Sequence, residues 1–198
     1  REEMEKIKIQ IAKDLLKIKA VFFRPEEPFT WASGIKSPVY CDNRLTLTAP
    51  EVRNDVENGL AEVVRRFYPE AEVLMNLPMG YVRSGAKDHG RQNRIEGRLE
   101  AGQKVVVIED LISTGGSCID VVEALREAGA EVLGVASIFT YGMQKGLDRM
   151  AAANVKNISL TDFDTIAQVA AEENYIKAED IDRLLKFRAN PSDESWIK

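Results

Sequence analysis

Hydrophobic residues recur along the chain with two periods, and each period predicts a different kind of element. Residues 3–19 carry apolar side chains three or four positions apart, which is typical of an amphipathic helix. A second helix is predicted from residue 48, because Thr48 can cap it, Pro50 suits its first turn and Glu51 lies beside its positive dipole end. Between the two helices, residues 20–48 predict short strands joined by a glycine turn.

From residue 104 onward, predicted strands and helices alternate. Near-continuous apolar runs indicate three buried strands, at residues 104–109, 131–140 and 157–160. Helical patterns lie between and after these runs, at residues 117–128, 145–153, 161–172 and 178–189. Hydrophobic strands separated by helices indicate a mainly parallel sheet covered on both faces, so the predicted fold class is α/β.

One stretch interrupts this alternation. Residues 72–74 and 79–82 both have strand-like patterns, but only residues 75–78 separate them. A crossover between parallel neighbours needs about a dozen residues, and Pro78 disfavours one continuous strand. Either the protein lacks a crossover helix near residues 74–76, or the sequence as written omits an internal segment. The pattern favours the second explanation.

Composition and charge narrow the class of protein. The 198 residues suit a single domain, 1–198, and 44% hydrophobic content argues against disorder. The net charge of −5 argues against a general nucleic-acid binder, and no apolar run approaches the ~20 residues of a membrane span. Cys41 and Cys118 are too few for a disulfide framework or a zinc site, so we expect buried thiols. These features predict a cytoplasmic protein with neither nucleic acid nor membrane as a partner.

The candidate chemistry lies at the end of the first of these three strands. Residues 105–117 read VVVIEDLISTGGS, in which a strand ends in Glu109 and Asp110 and a loop leads into a helix. Ligands of open α/β sheets bind beyond the carboxyl ends of the strands, and a helix amino end offers free N–H groups to a phosphate. Gly115 and Gly116 let the backbone approach the anion. Further donors are the hydroxyls of Ser113, Thr114 and Ser117. The pattern suits a ligand with a phosphate next to a ribose diol.

Two common phosphate sites are not supported. The sequence has no G-x-x-x-x-G-K-[ST] loop for a nucleoside triphosphate and no G-x-G-x-x-G after a strand for a dinucleotide. The plain structural alternative for the two acids is a solvated strand end, with Ser113 or Thr114 capping the following helix.

A second candidate feature is the segment 83–98. It holds five basic residues against Asp88 and Glu96, three glycines, and the single histidine of the chain, His89. Alone, such a segment is typical of a solvated charge run. Beside a phosphate site it suits a mobile basic lid that closes over pyrophosphate.

Together these motifs resemble a known family. Residues 105–117 are similar to the phosphoribosyl pyrophosphate signature of type I phosphoribosyltransferases. Within that superfamily, residues 29–38 (FTWASGIKSP), 40–44 (YCDNR), 87–90 (KDHG) and 95–97 (IEG) resemble the orotate phosphoribosyltransferases, and the resemblance extends over nearly the whole chain.

The resemblance implies a type I phosphoribosyltransferase fold with a small hood at about residues 20–48. It implies transfer of the phosphoribosyl group of phosphoribosyl pyrophosphate to orotate, which gives orotidine 5′-monophosphate and pyrophosphate in pyrimidine biosynthesis. Mg²⁺ is the implied cofactor. A homodimer is also implied, in which the 83–98 loop reaches the neighbouring active site.

The resemblance further assigns roles to single residues. The implied catalytic residues are Lys87, His89, Glu109 and Asp110. Phosphoribosyl pyrophosphate would contact Arg83, Lys87, His89, Glu109, Asp110, Leu111, Ile112, Ser113, Thr114, Gly115, Gly116 and Ser117. Orotate would contact Lys36, Tyr40, Arg44 and Thr114. No side chain is assigned directly to the metal, although Asp110 could hold it through a water.

Departures from the family pattern keep alternatives open. Ser84 follows Arg83 where the family often has Lys, Ala32 replaces a lysine found in some members, and residues 140–142 replace an orotate-binding arginine found in others. The family also has a strand, a pyrophosphate loop and a helix where this chain is interrupted. The alternatives are a phosphoribosyltransferase for uracil or a purine, a nucleic-acid-binding regulator on the same fold, or a catalytically inactive protein.

Overall fold

The computed structural model describes residues 1–73, 80–83 and 94–197. The α-helices of this part of the chain are α1 (Glu2–Lys17), α2 (Pro50–Phe67), α3 (Gly116–Glu127), α4 (Gln144–Ala152), α5 (Phe163–Glu172) and α6 (Ile181–Ala189). The strands are β1 (Val21–Phe23), β2 (Phe29–Thr30), β3 (Lys36–Ser37), β4 (Val39–Cys41), β5 (Tyr81–Val82), β6 (Ile95–Glu96), β7 (Lys104–Ile112), β8 (Glu131–Thr140) and β9 (Asn157–Asp162). Short 3-10 segments lie at Asn43–Thr48, Ala178–Asp180 and Glu194–Ile197.

The centre of the fold is a parallel sheet in the order β7-β8-β9. Ile108 pairs with Ala136, and Ser137 pairs with Ser159, so the three carboxyl ends meet at one edge. Val73 forms a parallel bridge to Val105 on the outer side of β7. The parallel sheet and the α/β class are therefore confirmed.

Helices cover both faces of the sheet. On one face α1 and α2 pack with the hood, and their buried side chains join one apolar core that includes Leu15, Val63 and Phe139. On the other face α3 contributes Cys118 and Val122 to a second apolar core. Because each strand is covered twice, its sequence is almost continuously apolar rather than alternating.

The hood consists of two small antiparallel ladders. Strand β1 pairs with β4, and β2 pairs with β3 across a turn in which Gly34 has a φ of +86°. The predicted short strands and glycine turn are thus present in residues 20–48.

Three element ends differ from the prediction. Strand β7 continues to Ile112, since its ladder with β8 extends to Thr140. Helix α2 begins without Thr48 as its cap, because the Thr48 hydroxyl donates to the carbonyl of Leu45 at 2.9 Å and Ala49 takes the cap position. Strand β9 extends to Asp162, whose carboxylate accepts from the N–H of Thr165 and caps α5.

The strand-like stretch that follows the interruption is present as strand β5. Strand β5 pairs antiparallel with β6, with Tyr81 opposite Glu96, rather than joining the central sheet as a parallel neighbour. The need for a crossover before Tyr81 therefore does not arise from this pairing. Residues 74–79, where the interruption was placed, lie outside the described residues.

Candidate active site

The loop between β7 and α3 presents a helix amino end beyond the edge of the sheet. Gly115 stands at the cap position of α3 with a φ of +76°, a conformation that glycine adopts without strain. Neither Ser113 nor Thr114 caps the helix, and Gly115 has no side chain with which to do so. The first N–H groups of α3 therefore have no side-chain cap, and a helix amino end of this kind can bind an anion.

Helix α4 packs closely against this loop. A Cβ on Gly146 would lie 2.6 Å from the carbonyl oxygen of Ser113, so only glycine permits this approach. The guanidinium of Arg149 donates to the carbonyl of Thr114 at 3.0 Å. Sequence reasoning missed both residues of α4. A glycine inside a predicted helix was the one local signal, since such a glycine often marks a close approach.

The two acids lie within β7, which does not end at them as predicted but continues to Ile112. Burial raises the pKa of Glu109 to about 7, and a hydrogen bond with the Asp110 carboxyl adds to the rise. The Glu109 carboxylate also accepts from the N–H of Asp110 at 3.0 Å. The raised pKa keeps Glu109 partly protonated near neutral pH, and the neighbouring Asp110 is exposed to solvent.

A cavity of about 470 Å³ lies on the α3 side of β7. Glu109 from the strand and Ser117 from the first turn of α3 both line it, together with Asp120 and Arg94. A volume of this size accommodates a small-molecule substrate. The cavity thus brings one acid and the candidate phosphate-binding helix end to a common space.

The hood meets β7 from the opposite side. The buried amide of Asn43 donates from Nδ2 to the backbone carbonyl of Asp110 at 2.8 Å. Burial raises the pKa of the half-buried Cys41 thiol to about 12, with Asp110 and Asp42 adding to the rise. Sequence reasoning missed Asn43, because nothing local in the sequence shows that it reaches a strand 67 positions away.

The predicted orotate-binding residues are only partly brought together. Arg44 forms a bidentate pair with Asp42, and this pair raises the pKa of Arg44, with smaller contributions from Tyr40 and Asp110. Tyr40 is 41% exposed, and its ring lies 5.5 Å from that of Phe29. Arg44 thus lies within electrostatic reach of both Tyr40 and Asp110. Lys36 instead donates to the hydroxyl of Thr30 at 2.7 Å.

The described ends of the predicted basic lid are held by ion pairs. Arg83 pairs with Glu96 at 2.9 Å. Arg94 is only 5% exposed, and its guanidinium donates to Asp120 of α3 at 2.6 Å and to the carbonyl of Arg83 at 2.8 Å. Arg94 therefore anchors this end of the segment to α3, and it also lines the cavity that Glu109 and Ser117 share. Lys87 and His89 lie outside the described residues.

Two further properties concern metals and membranes. Within residues 1–73, 80–83 and 94–197, no group of three or more His, Cys, Asp or Glu side chains is arranged to hold a metal ion. In the same part of the chain, no helix has the length and apolar character needed to cross a membrane.

Comparisons with known proteins agree with this geometry. The phosphoribosyl transferase domain matches residues 60–174. The chain is 53% identical to the orotate phosphoribosyltransferase of Bacillus cytotoxicus, over 96% of this chain and 99% of that protein, and 52% identical to that of Bacillus subtilis, over 95% of each. The solved orotate phosphoribosyltransferase of Aeropyrum pernix superposes with a TM-score of 0.70 at 27% identity, over 80% of this chain and 96% of that one.

The length of the first alignment bears on the interruption. It spans 208 positions, whereas the whole chain has 198 residues. The Bacillus cytotoxicus relative therefore contains internal residues that have no counterpart here, which agrees with the expectation of an absent internal segment.

Proposed function

The chain belongs to the orotate phosphoribosyltransferase family, and on that premise we propose that it joins orotate to phosphoribosyl pyrophosphate, giving orotidine 5′-monophosphate and pyrophosphate. The observation that carries this proposal is the shared cavity, in which Glu109 of β7 and Ser117 of α3 face one space. A phosphate at the amino end of α3 places the attached ribose beside the two carboxyl groups.

The acids act on the ribose. As the bond between C1 and pyrophosphate loosens, positive charge grows on the sugar ring and negative charge grows on the leaving group. Glu109 and Asp110 hold the ribose hydroxyls and stabilise the cationic ring, since preorganised charges act most strongly where charge develops. The raised pKa of Glu109 means that bound hydroxyls must favour its ionised form.

Other residues bind the 5′-phosphate, the orotate and the pyrophosphate. Residues 113–117 bind the 5′-phosphate, chiefly through backbone N–H groups and hydroxyls. Arg44 has the charge to bind the carboxylate of orotate, and Tyr40 offers a ring on which the base can stack. Lys87, His89 and Arg83 neutralise the departing pyrophosphate, and the 83–98 loop acts across a homodimer.

Mg²⁺ fits this site as an ion carried largely by the substrate. The described residues provide the carboxylates Glu109 and Asp110 at the strand end but no cage of three ligands. Mg²⁺ in phosphate chemistry is commonly held by one or two carboxylates and by the phosphates themselves. When bound, it neutralises charge on the diphosphate. Asp110 is the exposed carboxylate that can hold it through a water.

The test is a comparison of bases with the purified chain. Phosphoribosyl pyrophosphate and Mg²⁺ are incubated with orotate, uracil, hypoxanthine or adenine, and the nucleotide products are separated and measured. We expect orotidine 5′-monophosphate and no appreciable product from the other bases. Turnover of another base in preference to orotate, or of none, would overturn the proposal.

A second measurement tests the role of the lid. Lys87→Ala should lower kcat about 10²–10³-fold, since it removes one preorganised contact to the leaving group, while orotate binding changes little. Lys145→Ala on the exposed side of α4 is the control. An unchanged kcat in Lys87→Ala rejects this assignment.

A further inference from the structure

The loop at residues 113–117, to which the proposed function assigns the 5′-phosphate, contains no cationic side chain. Residues 113–117 carry no charged side chain, and the strand before them, β7, carries two acids, Glu109 and Asp110. A phosphate monoester carries about −1.5 to −2 charges at pH 7, whereas a helix amino end supplies about +0.5. Tight binding of such a group beside two acids therefore calls for a cation close to the loop.

Arg149 lies at this position. Its guanidinium donates from Nη1 to the carbonyl of Thr114, and the same nitrogen lies 3.3 Å from the place that a Cβ of Gly116 would occupy. Gly116 is the first residue of α3. The cation of α4 thus ends beside the first turn of α3, because the contact of Gly146 with Ser113 brings the two elements together.

The surroundings of Arg149 favour an anion. In the described part of the chain, the guanidinium contacts the Thr114 carbonyl and has no carboxylate within ion-pair distance. A cation beside a helix amino end is repelled by the helix dipole. An anion at the same place offsets that repulsion, and an arginine has five N–H donors, of which the carbonyl takes one.

Arg126 provides an internal comparison. Its guanidinium also donates to backbone carbonyls, those of Ala153 and Asn154, but these lie at the carboxyl end of α4, where the helix dipole attracts a cation. Arg126 is thus satisfied as a helix-end cap. Arg149 makes the same kind of contact at a helix end of the opposite polarity.

We propose that Arg149 is a binding residue for the 5′-phosphate of phosphoribosyl pyrophosphate and orotidine 5′-monophosphate, with its free N–H groups turned to the phosphate oxygens. The proposal rests on the proposed function, because that function places the phosphate at the loop. The loop alone was assigned to this phosphate from the sequence, and Arg149 adds to it a cation contributed by the next helix.

The experiment measures binding of orotidine 5′-monophosphate and of inorganic phosphate by calorimetry to the wild type, Arg149→Gln, Arg149→Lys and Arg126→Gln. Charge-assisted hydrogen bonds to phosphate are among the stronger ones, so we expect Arg149→Gln to weaken both ligands about tenfold. Arg149→Lys should recover part of this loss through its charge, while Arg126→Gln should stay within about twofold of the wild type. Affinity of the wild type should also fall more steeply with salt than that of Arg149→Gln.

Kinetics provide a second readout. Arg149→Gln should raise the KM for phosphoribosyl pyrophosphate about tenfold and leave the KM for orotate within about twofold. Equal binding by Arg149→Gln and Arg126→Gln, with unfolding midpoints matching the wild type, overturns the proposal. Failure of the proposed function is recognised separately, since then the wild type itself forms no orotidine 5′-monophosphate.

Discussion

Two carboxyl groups in different regions of the molecule both have a raised pKa. Burial raises the pKa of Glu109 on β7 to about 7 and that of Asp14 on α1 to about 6. In each case a neighbouring carboxyl group, that of Asp110 or Asp55, adds to the rise in pKa. By pKa alone, the two positions would be equally good candidates for a functional site.

Their surroundings separate them. Glu109 lines a cavity of about 470 Å³ on the α3 side of β7, which Ser117 in the first turn of α3 also lines. Asp14 is 7% exposed, packs where α1 meets α2, and accepts a hydrogen bond from Gln10 at 3.0 Å. A perturbed pKa thus reports burial of a charge, and the space and donors around the group decide whether it has a function.

The largest expected difference is in turnover. Glu109→Gln keeps the size of the side chain but removes its charge, so kcat should fall about 10²–10³-fold if the carboxylate stabilises the cationic ribose. Asp14→Asn should leave kcat within about twofold. The measurement is steady-state consumption of orotate at pH 8 by both variants. Similar losses in the two variants would contradict the distinction.

The next effect is on stability, and here the larger change is expected for the Asp14 variant. Unfolded Asp14 ionises near its ordinary pKa of 3.8, whereas the folded group stays protonated until about pH 6. Its contribution to stability is therefore complete below about pH 4 and is lost as the pH rises through 6. Asp14→Asn should raise the free energy of unfolding at pH 8 by roughly 2 kcal/mol and change it little at pH 4.

Urea denaturation at both pH values measures this change. The matched control is Glu57→Gln, an exposed acid on α2 that lies 3.8 Å from Arg53 and should have little effect at either pH. A gain for Asp14→Asn of the same size at pH 4 and pH 8 would show that removal of a buried charge is not its cause.

The smallest effect concerns the hydrogen bond that Gln10 donates to Asp14, which favours the ionised carboxylate. Gln10→Ala should raise the pKa of Asp14 further, since the Gln10 amide lowers it. It should cost roughly 0.5–1.5 kcal/mol of stability at pH 8, and less at pH 4. The control is Gln168→Ala, which removes an equally spaced hydrogen bond to the exposed Glu172 on α5. Denaturation of the two variants side by side gives the comparison, and equal losses would show that burial of Asp14 is irrelevant.

Much of the fold could be predicted because its signals are local. The periods of the apolar residues identified the strands of the central sheet, and the glycines and hydroxyls at residues 113–117 identified the loop between a strand and a helix. Element ends were less well predicted, as at Ile112 and Thr48. There the outcome depends on competing hydrogen bonds, from β8 in one case and to Leu45 in the other.

The sequence by itself determined the α/β class, the loop at residues 113–117 and the acids that precede it, since each depends on neighbours along the chain. Only the tertiary structure decided that Asn43 holds the Asp110 carbonyl and that Arg149 reaches Thr114, contacts between residues 67 and 35 positions apart. It also raised the pKa values of Glu109 and Asp14, because desolvation depends on what packs around a carboxyl group and not on the residues next to it.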